Sequence, residues 1–123
     1  MRKIIAVDFD NTLCVTTEYP KIDGPILEVV EALKCQKDLG AYIILWTCRE
    51  GEHLAQALKW CEEQGIVLDN VNANCPDAIA EYRGNDCRKI YAHEYWDDKA
   101  VVLPRFIFSE KGHGYSVQYS PTS

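Results

Sequence analysis

Residues 4–13 read Ile4-Ile5-Ala6-Val7-Asp8-Phe9-Asp10-Asn11-Thr12-Leu13. The unbroken apolar run predicts a buried strand of a parallel sheet, and that strand delivers two carboxylates at i and i+2. On an extended chain those positions point to one side, so Asp8 and Asp10 crowd together where the sheet stops. Carboxylates at this spacing repel unless a proton or a cation lies between them. An oxygen-only donor pair favours a hard ion such as Mg²⁺.

Outward from this stretch, apolar runs alternate with amphipathic ones, the pattern of a parallel sheet covered by helices. Residues 3–8 form the first expected strand. After a polar loop, Pro25 opens a helix with Ile26, Val29, Val30 and Leu33 on its apolar face, and Gly40 closes it. Tyr42-Ile43-Ile44-Leu45-Trp46 is a second buried strand. Between Glu52 and Gln64, Leu54, Ala57, Leu58 and Cys61 recur at helical spacing, with Gly65 as the stop. A short third strand is expected at Ile66–Leu68, a small helix from Pro76 to Tyr82 ended by Gly84, and a fourth strand at Ile90–Trp96. The polar pair His93-Glu94 makes that strand less apolar than a central one should be. Residues 101–108 and 115–119 read as a terminal hairpin around Gly112 and Gly114. The expected fold class is α/β, three-layer and Rossmann-like with a mostly parallel central sheet. It forms one domain over 1–123, with a core at about 3–99 and a C-terminal extension at about 100–123.

Composition narrows the function. At 123 residues and 47% hydrophobic content, the chain can bury one core. Thirteen basic against nineteen acidic residues give a net charge of −6, with no basic cluster interleaved with aromatics, which disfavours binding to duplex nucleic acid. No apolar leader and no run of membrane-spanning length are present, so a soluble, cytoplasmic location is expected. Cys14, Cys35, Cys48, Cys61, Cys75 and Cys87 show no CxxC pair or zinc spacing, and they read as reduced, mostly buried small hydrophobes. His53, His93 and His113 share no ligand spacing and read as surface or hydrogen-bonded histidines.

Strand C-termini of a parallel sheet share one edge, and ligands bind outside it. The first strand brings Asp8 and Asp10 there, the second Thr47 followed by Cys48-Arg49-Glu50, and the fourth Asp97 and Asp98. Arg88 and Lys89 precede the fourth strand. Together these form an inventory for a metal ion and a phosphate group.

In that order and on those strand ends, the motifs resemble the four of the haloacid dehalogenase-like superfamily. DFDNTL is similar to the first motif, LWTCRE to the second, Arg88-Lys89 to the third and WDD to the fourth, over residues 3–99. The resemblance implies a haloacid dehalogenase-like fold and a Mg²⁺-dependent phosphate monoester hydrolase. Asp8 would be the nucleophile that forms an aspartyl-phosphate. Asp10 would protonate the leaving oxygen and then activate water. Thr47, with Cys48 beside it, would bind phosphoryl oxygens, and Lys89 or Arg88 would neutralise their charge, Lys89 being the family's choice. Asp8, the Asp10 carbonyl and Asp97 would hold the metal, with Asp98 direct or through water. The need for cations is physical: two like charges at roughly 4 Å repel by about 4 kcal/mol at an effective dielectric of 20.

Asn11 stands where the family commonly has Gly, and Asn tolerates the unusual backbone angles required. Residues 11–24 and 69–88 are too short for the cap domain that many members insert, so the site is expected to be open, with a second copy of the chain as its candidate cover. The substrate is expected to be a small phosphorylated molecule, selected by Thr16, Thr17, Glu18, Tyr19 and Lys21 and by Asn72 and Asn74. Two other functions stay open at this stage: a metal- and phosphate-binding regulatory module with little turnover, and a phosphotransferase to an acceptor other than water.

Overall fold

The computed structural model describes residues 1–101, 105–108 and 115–118. Strands β1 (Ile4–Val7), β4 (Tyr42–Leu45), β5 (Asn70–Val71) and β6 (Glu94–Trp96) form a parallel sheet in the order β5-β4-β1-β6. Between β1 and β4 lie a two-residue antiparallel ladder, β2 (Cys14–Val15) with β3 (Gly24–Pro25), and helix α1 (Leu27–Asp38). Helix α2 (Gly51–Glu63) joins β4 to β5, and α3 (Pro76–Glu81) joins β5 to β6.

Every residue of β1 and β4 is buried, as their uninterrupted apolar sequences require of central strands. Alternate side chains divide between two cores. Ile5, Val7, Phe9, Ile43 and Leu45 pack with Val30 and Leu33 of α1 and Ala57 and Cys61 of α2. Ile4, Ala6, Tyr42 and Ile44 pack with Ala78 of α3 and with Cys75 and Ile90. The result is an α/β arrangement with helices on both faces of the sheet. Gly40 (φ 95) and Gly65 (φ 78) end α1 and α2 in left-handed conformations that other residues rarely adopt. The next N–H groups, of Ala41 and Ile66, bond back to Gln36 and Cys61 at 3.0 and 2.9 Å and close the last turns.

Three element boundaries differ from expectation. Pro25 pairs with Cys14 in β3 instead of opening α1, and Ile26 stands at the helix N-cap, its N–H on the Leu13 carbonyl at 2.9 Å. The third strand is Asn70–Val71 rather than Ile66–Leu68. The Asp69 carboxylate takes the Ile43 N–H at 2.8 Å, where a strand carbonyl would otherwise sit, and Lys37 pairs with it at 2.7 Å. The fourth strand begins only at Glu94, because His93 Nδ1 accepts the Ile4 N–H at 2.8 Å in place of a backbone oxygen. That strand is the sheet edge, which accommodates the polar pair His93-Glu94.

Of the cysteines, Cys14, Cys61 and Cys75 are buried and Cys35, Cys48 and Cys87 are exposed, all as free thiols. Half rather than most are therefore core residues: Cys35 lies on the solvent side of α1, and Cys48 and Cys87 lie in loops. In the terminal segment, β7 (Arg105–Phe108) pairs antiparallel with β8 (Tyr115–Gln118). The expected Gly112/Gly114 turn and His113 fall outside the described residues. Among the described residues, no helix is long and apolar enough to cross a membrane.

Asn74 is 5% exposed and holds the segment before β6 against α3. Its Oδ1 accepts the Tyr91 N–H at 2.8 Å, and its Nδ2 donates to the Cys87 carbonyl and Asp86 Oδ1, both at 3.0 Å. Asn74→Ala is expected to lower unfolding free energy by about 1–3 kcal/mol, since it strands buried backbone groups. Urea denaturation measures this, and a loss below about 0.5 kcal/mol would contradict the bonding described.

Candidate metal and phosphate site

Chain order places β1 at the switch point of the sheet: the connection after it leads to β4 and β5 on one side, and the last parallel strand, β6, returns on the other. A crevice outside the carboxyl ends is expected there. Asp8 directly follows β1, and its N–H bonds the Trp96 carbonyl at 2.8 Å, so the sheet ladder itself brings the end of β1 beside Asp97. Asp8, Asp97 and Asp98 each offer a carboxylate oxygen within 4.8 Å of the others. Thr12 ties the group together: its hydroxyl donates to Asp8 Oδ2 at 3.2 Å and accepts the Asp98 N–H at 3.0 Å. Lys99 N–H bonds Asp97 Oδ1 at 2.9 Å.

This crowding changes the proton affinity of Asp8. Burial, then the Asp98 carboxyl and the Asp97 charge, push its pKa up to about 6, against the opposing Phe9 N–H and Thr12 hydroxyl. An all-carboxylate donor set of this kind suits a hard divalent cation. Without metal, a carboxylate pKa raised on folding costs stability as pH rises from about 4 through about 6. Added Mg²⁺ is therefore expected to raise Tm at pH 8, by an amount worth about 2.7 kcal/mol at a hundredfold excess over Kd, and the gain should fade below pH 5. Thermal melts with Mg²⁺ and with chelator check this; curves that coincide at every pH would exclude a metal at these residues.

The Asp10 carboxylate does not join that cluster. Both its oxygens are taken by the buried Arg49, Nη2 to Oδ1 at 2.7 Å and Nε to Oδ2 at 3.0 Å, and Oδ1 also accepts the Thr16 hydroxyl at 2.8 Å. Burial works against the charged carboxylate, but these bonds and the guanidinium charge outweigh it and hold Asp10 below the usual range. The turn between β1 and β2 forms as expected, with Asn11 at φ 59 and its Oδ1 on the Thr16 N–H at 2.9 Å.

Thr47 follows β4 by two residues. Asn72, at the end of β5, brackets it, with Oδ1 on the Thr47 N–H at 2.8 Å and Nδ2 on the Thr47 carbonyl at 3.0 Å. The Thr47 hydroxyl oxygen accepts the Arg49 N–H at 3.1 Å, which leaves the hydroxyl proton, rather than the backbone N–H, to donate to a ligand. Cys48 is exposed beside it. Lys89 Nζ sits 5.8 Å from the centre of the Tyr95 ring, whose own centre is 5.6 Å from that of the Trp46 ring just before Thr47, and Lys89 lines a cavity of about 420 Å³ on the α3 side of the sheet. Arg88 is exposed, and among the described residues neither it nor Lys89 forms an ion pair. Asn74, expected to face substrate, is instead buried and fully bonded. Thr12 was not among the expected site residues, although its place four residues beyond Asp8 puts it within the turn that follows β1; Thr16, expected to select substrate, bonds the Asp10 carboxylate from just after β2.

The fold and the site together define a parallel α/β protein with a three-carboxylate cluster at its switch point. The chain is similar to a solved structure described as the conserved protein coded by locus from Bacteroides thetaiotaomicron, with 37% identity over 82% of this chain and 79% of that one, at a TM-score of 0.69. It belongs to the same family as that conserved Bacteroides thetaiotaomicron protein. No family model and no curated protein matches the chain.

Proposed function

We propose that the chain is a Mg²⁺-dependent phosphate monoester hydrolase of the haloacid dehalogenase-like type, acting through Asp8. The observation that carries this reading is the approach of Asp8, Asp97 and Asp98 to within 4.8 Å at the ends of two adjacent strands, next to Thr47 at the end of a third. The motifs DFDNTL, LWTCRE and WDD supply those residues in the superfamily's order.

In this reading an Asp8 oxygen attacks phosphorus, the ester P–O bond breaks, and the leaving alkoxide takes the proton of a protonated Asp10, which is left ionised. Water then attacks phosphorus, the bond to Asp8 breaks, and Asp10 accepts the water's proton. Held ionised by Arg49, Asp10 is set to accept a proton directly. Donating one in the first step requires the Arg49 pair to loosen. The Thr47 hydroxyl donates to a phosphoryl oxygen. Mg²⁺ at Asp8, Asp97 and Asp98 would offset the repulsion between a carboxylate and a phosphate dianion.

One observation favours a second reading, a binding module with little turnover: both carboxylate oxygens of Asp10 are engaged by Arg49. Phosphate release from a panel of monoesters, with Mg²⁺ and with chelator, separates the two. An enzyme releases phosphate only with the metal. A binding module holds Mg²⁺ and releases none. Transfer to sugar or nucleoside acceptors, read as new phosphate esters in the products, would replace hydrolysis by phosphotransfer.

A further inference from the structure

The side chain of Arg49 is wholly shielded from solvent, an unusual place for a guanidinium. Its surroundings account for the charge and for most of its donors. Besides the two bonds to Asp10, Nη2 donates to the Pro20 carbonyl at 2.9 Å and Nη1 to the His53 carbonyl at 3.3 Å. The rings of Phe9 and Tyr19 lie 5.0 and 4.9 Å from its central carbon. Tyr19 in turn meets the His53 ring edge-on, with centroids 5.4 Å apart. One side chain thus fastens the turn after β1, the loop around Pro20 and the first turn of α2 to the Asp10 carboxylate.

A salt bridge for stability alone is a poor explanation, because a buried ion pair often contributes less than an apolar pair of similar volume. The planar fork is suited to something else, fixing both the position and the plane of a carboxylate. Thr16 adds a third bond to the same group.

We propose that Arg49 is the positioning residue for Asp10, setting its carboxylate to accept the proton of the attacking water by clamping both oxygens to the scaffold of Pro20, His53, Phe9 and Tyr19. This rests on the hydrolase reading above. It assigns a role to the third residue of Thr47-Cys48-Arg49, and it makes the segment after β4 the source of the cation that serves the acid–base residue.

The test is a double-mutant cycle on phosphate release. Arg49→Lys keeps the charge but loses the two-point geometry. It is expected to lower kcat about 100-fold, the effect of displacing a catalytic group by about 1 Å, with KM changed less than about threefold. In an Asp10→Asn background the same change should lower kcat less than about twofold, because its effect runs through Asp10. A purely structural role would lower Tm in both backgrounds and leave kcat uncoupled. If Arg49→Lys fails to fold, Tyr19→Ala serves: Tyr19 is 54% exposed, and losing its ring should loosen the guanidinium and cut kcat about fivefold in wild type but not with Asp10→Asn. Equal losses in the two backgrounds, or a change confined to KM, would overturn the proposal while leaving the hydrolase reading intact. Absence of turnover in the wild type would overturn both.

Discussion

Asp8→Asn is expected to lower Mg²⁺-dependent phosphate release about 10³-fold or more while making the metal-free protein more stable at pH 8. The first effect follows from removing the nucleophile, for which the amide is no substitute. The second follows from the position of Asp8. Its pKa is pushed up to about 6 by burial, by Asp98 and by Asp97, so above pH 6 it is an ionised group in an unfavourable place. Replacing it relieves a cost on the order of 1–2 kcal/mol once partial solvent screening is allowed for. Stability and activity should therefore move in opposite directions, which no loss of folding can imitate. Chelator melts at pH 8 beside a phosphate-release assay measure both. A variant that is less stable, or one that keeps its turnover, would contradict the placement of Asp8 at the centre of the site.

For Asp10→Asn the account predicts a loss of turnover of about 10²–10⁴-fold, the range of general acid–base catalysis. Here stability should fall as well. Arg49, shielded completely, would lose the charge that compensates it, and breaking one side of a buried pair costs several kcal/mol in fully buried cases. Because the Asp10 carboxyl is 24% exposed and Asn keeps one oxygen, about 2 kcal/mol is the expected loss. The pH dependence gives an independent check. Asp10 has a lowered pKa in the folded state, so its contribution to stability is present above the ordinary carboxylate value and is lost as pH falls through the lowered one. The wild-type advantage over Asp10→Asn should therefore be constant near neutrality and shrink in acid. Urea midpoints from pH 3 to 7 would show it. A variant as stable as wild type would mean that Arg49 does not depend on Asp10.

The central strands were legible because uninterrupted apolar runs have few other uses in a chain of this size: 4–7 and 42–45 are buried throughout. The helix stops at Gly40 and Gly65 were legible for an equally local reason, the left-handed angle a glycine accepts. What the sequence concealed were substitutions of side chain for backbone. Asp69 and His93 each take a strand N–H that a carbonyl would normally take, and so shift the start of two strands. Nothing in hydrophobic spacing encodes that exchange. The two-residue ladder of β2 and β3 is likewise too short to leave a period in the sequence.

At the site, Asp8, Asp97 and Asp98 could be grouped from sequence because strand ends in a parallel sheet must share an edge. The partner of Asp10 could not, since Arg49 lies thirty-nine positions away and its neighbouring acidic residue, Glu50, offers an equally plausible local pair. A basic residue two beyond Thr47 was a usable signal only once β4 was known to lie beside β1. For Lys89, proximity in sequence to the fourth strand carried no information about direction, and its ammonium lies over the Tyr95 face.

The most direct test of the account is to trap the covalent intermediate. Protein incubated with Mg²⁺ and a hydrolysable phosphate monoester, then quenched in acid and digested, should yield the peptide bearing Asp8 with one phosphoryl group attached, labile to hydroxylamine and missing in Asp8→Asn. Continued phosphate release with Asp8 unmodified, or with the label on another residue, would contradict it.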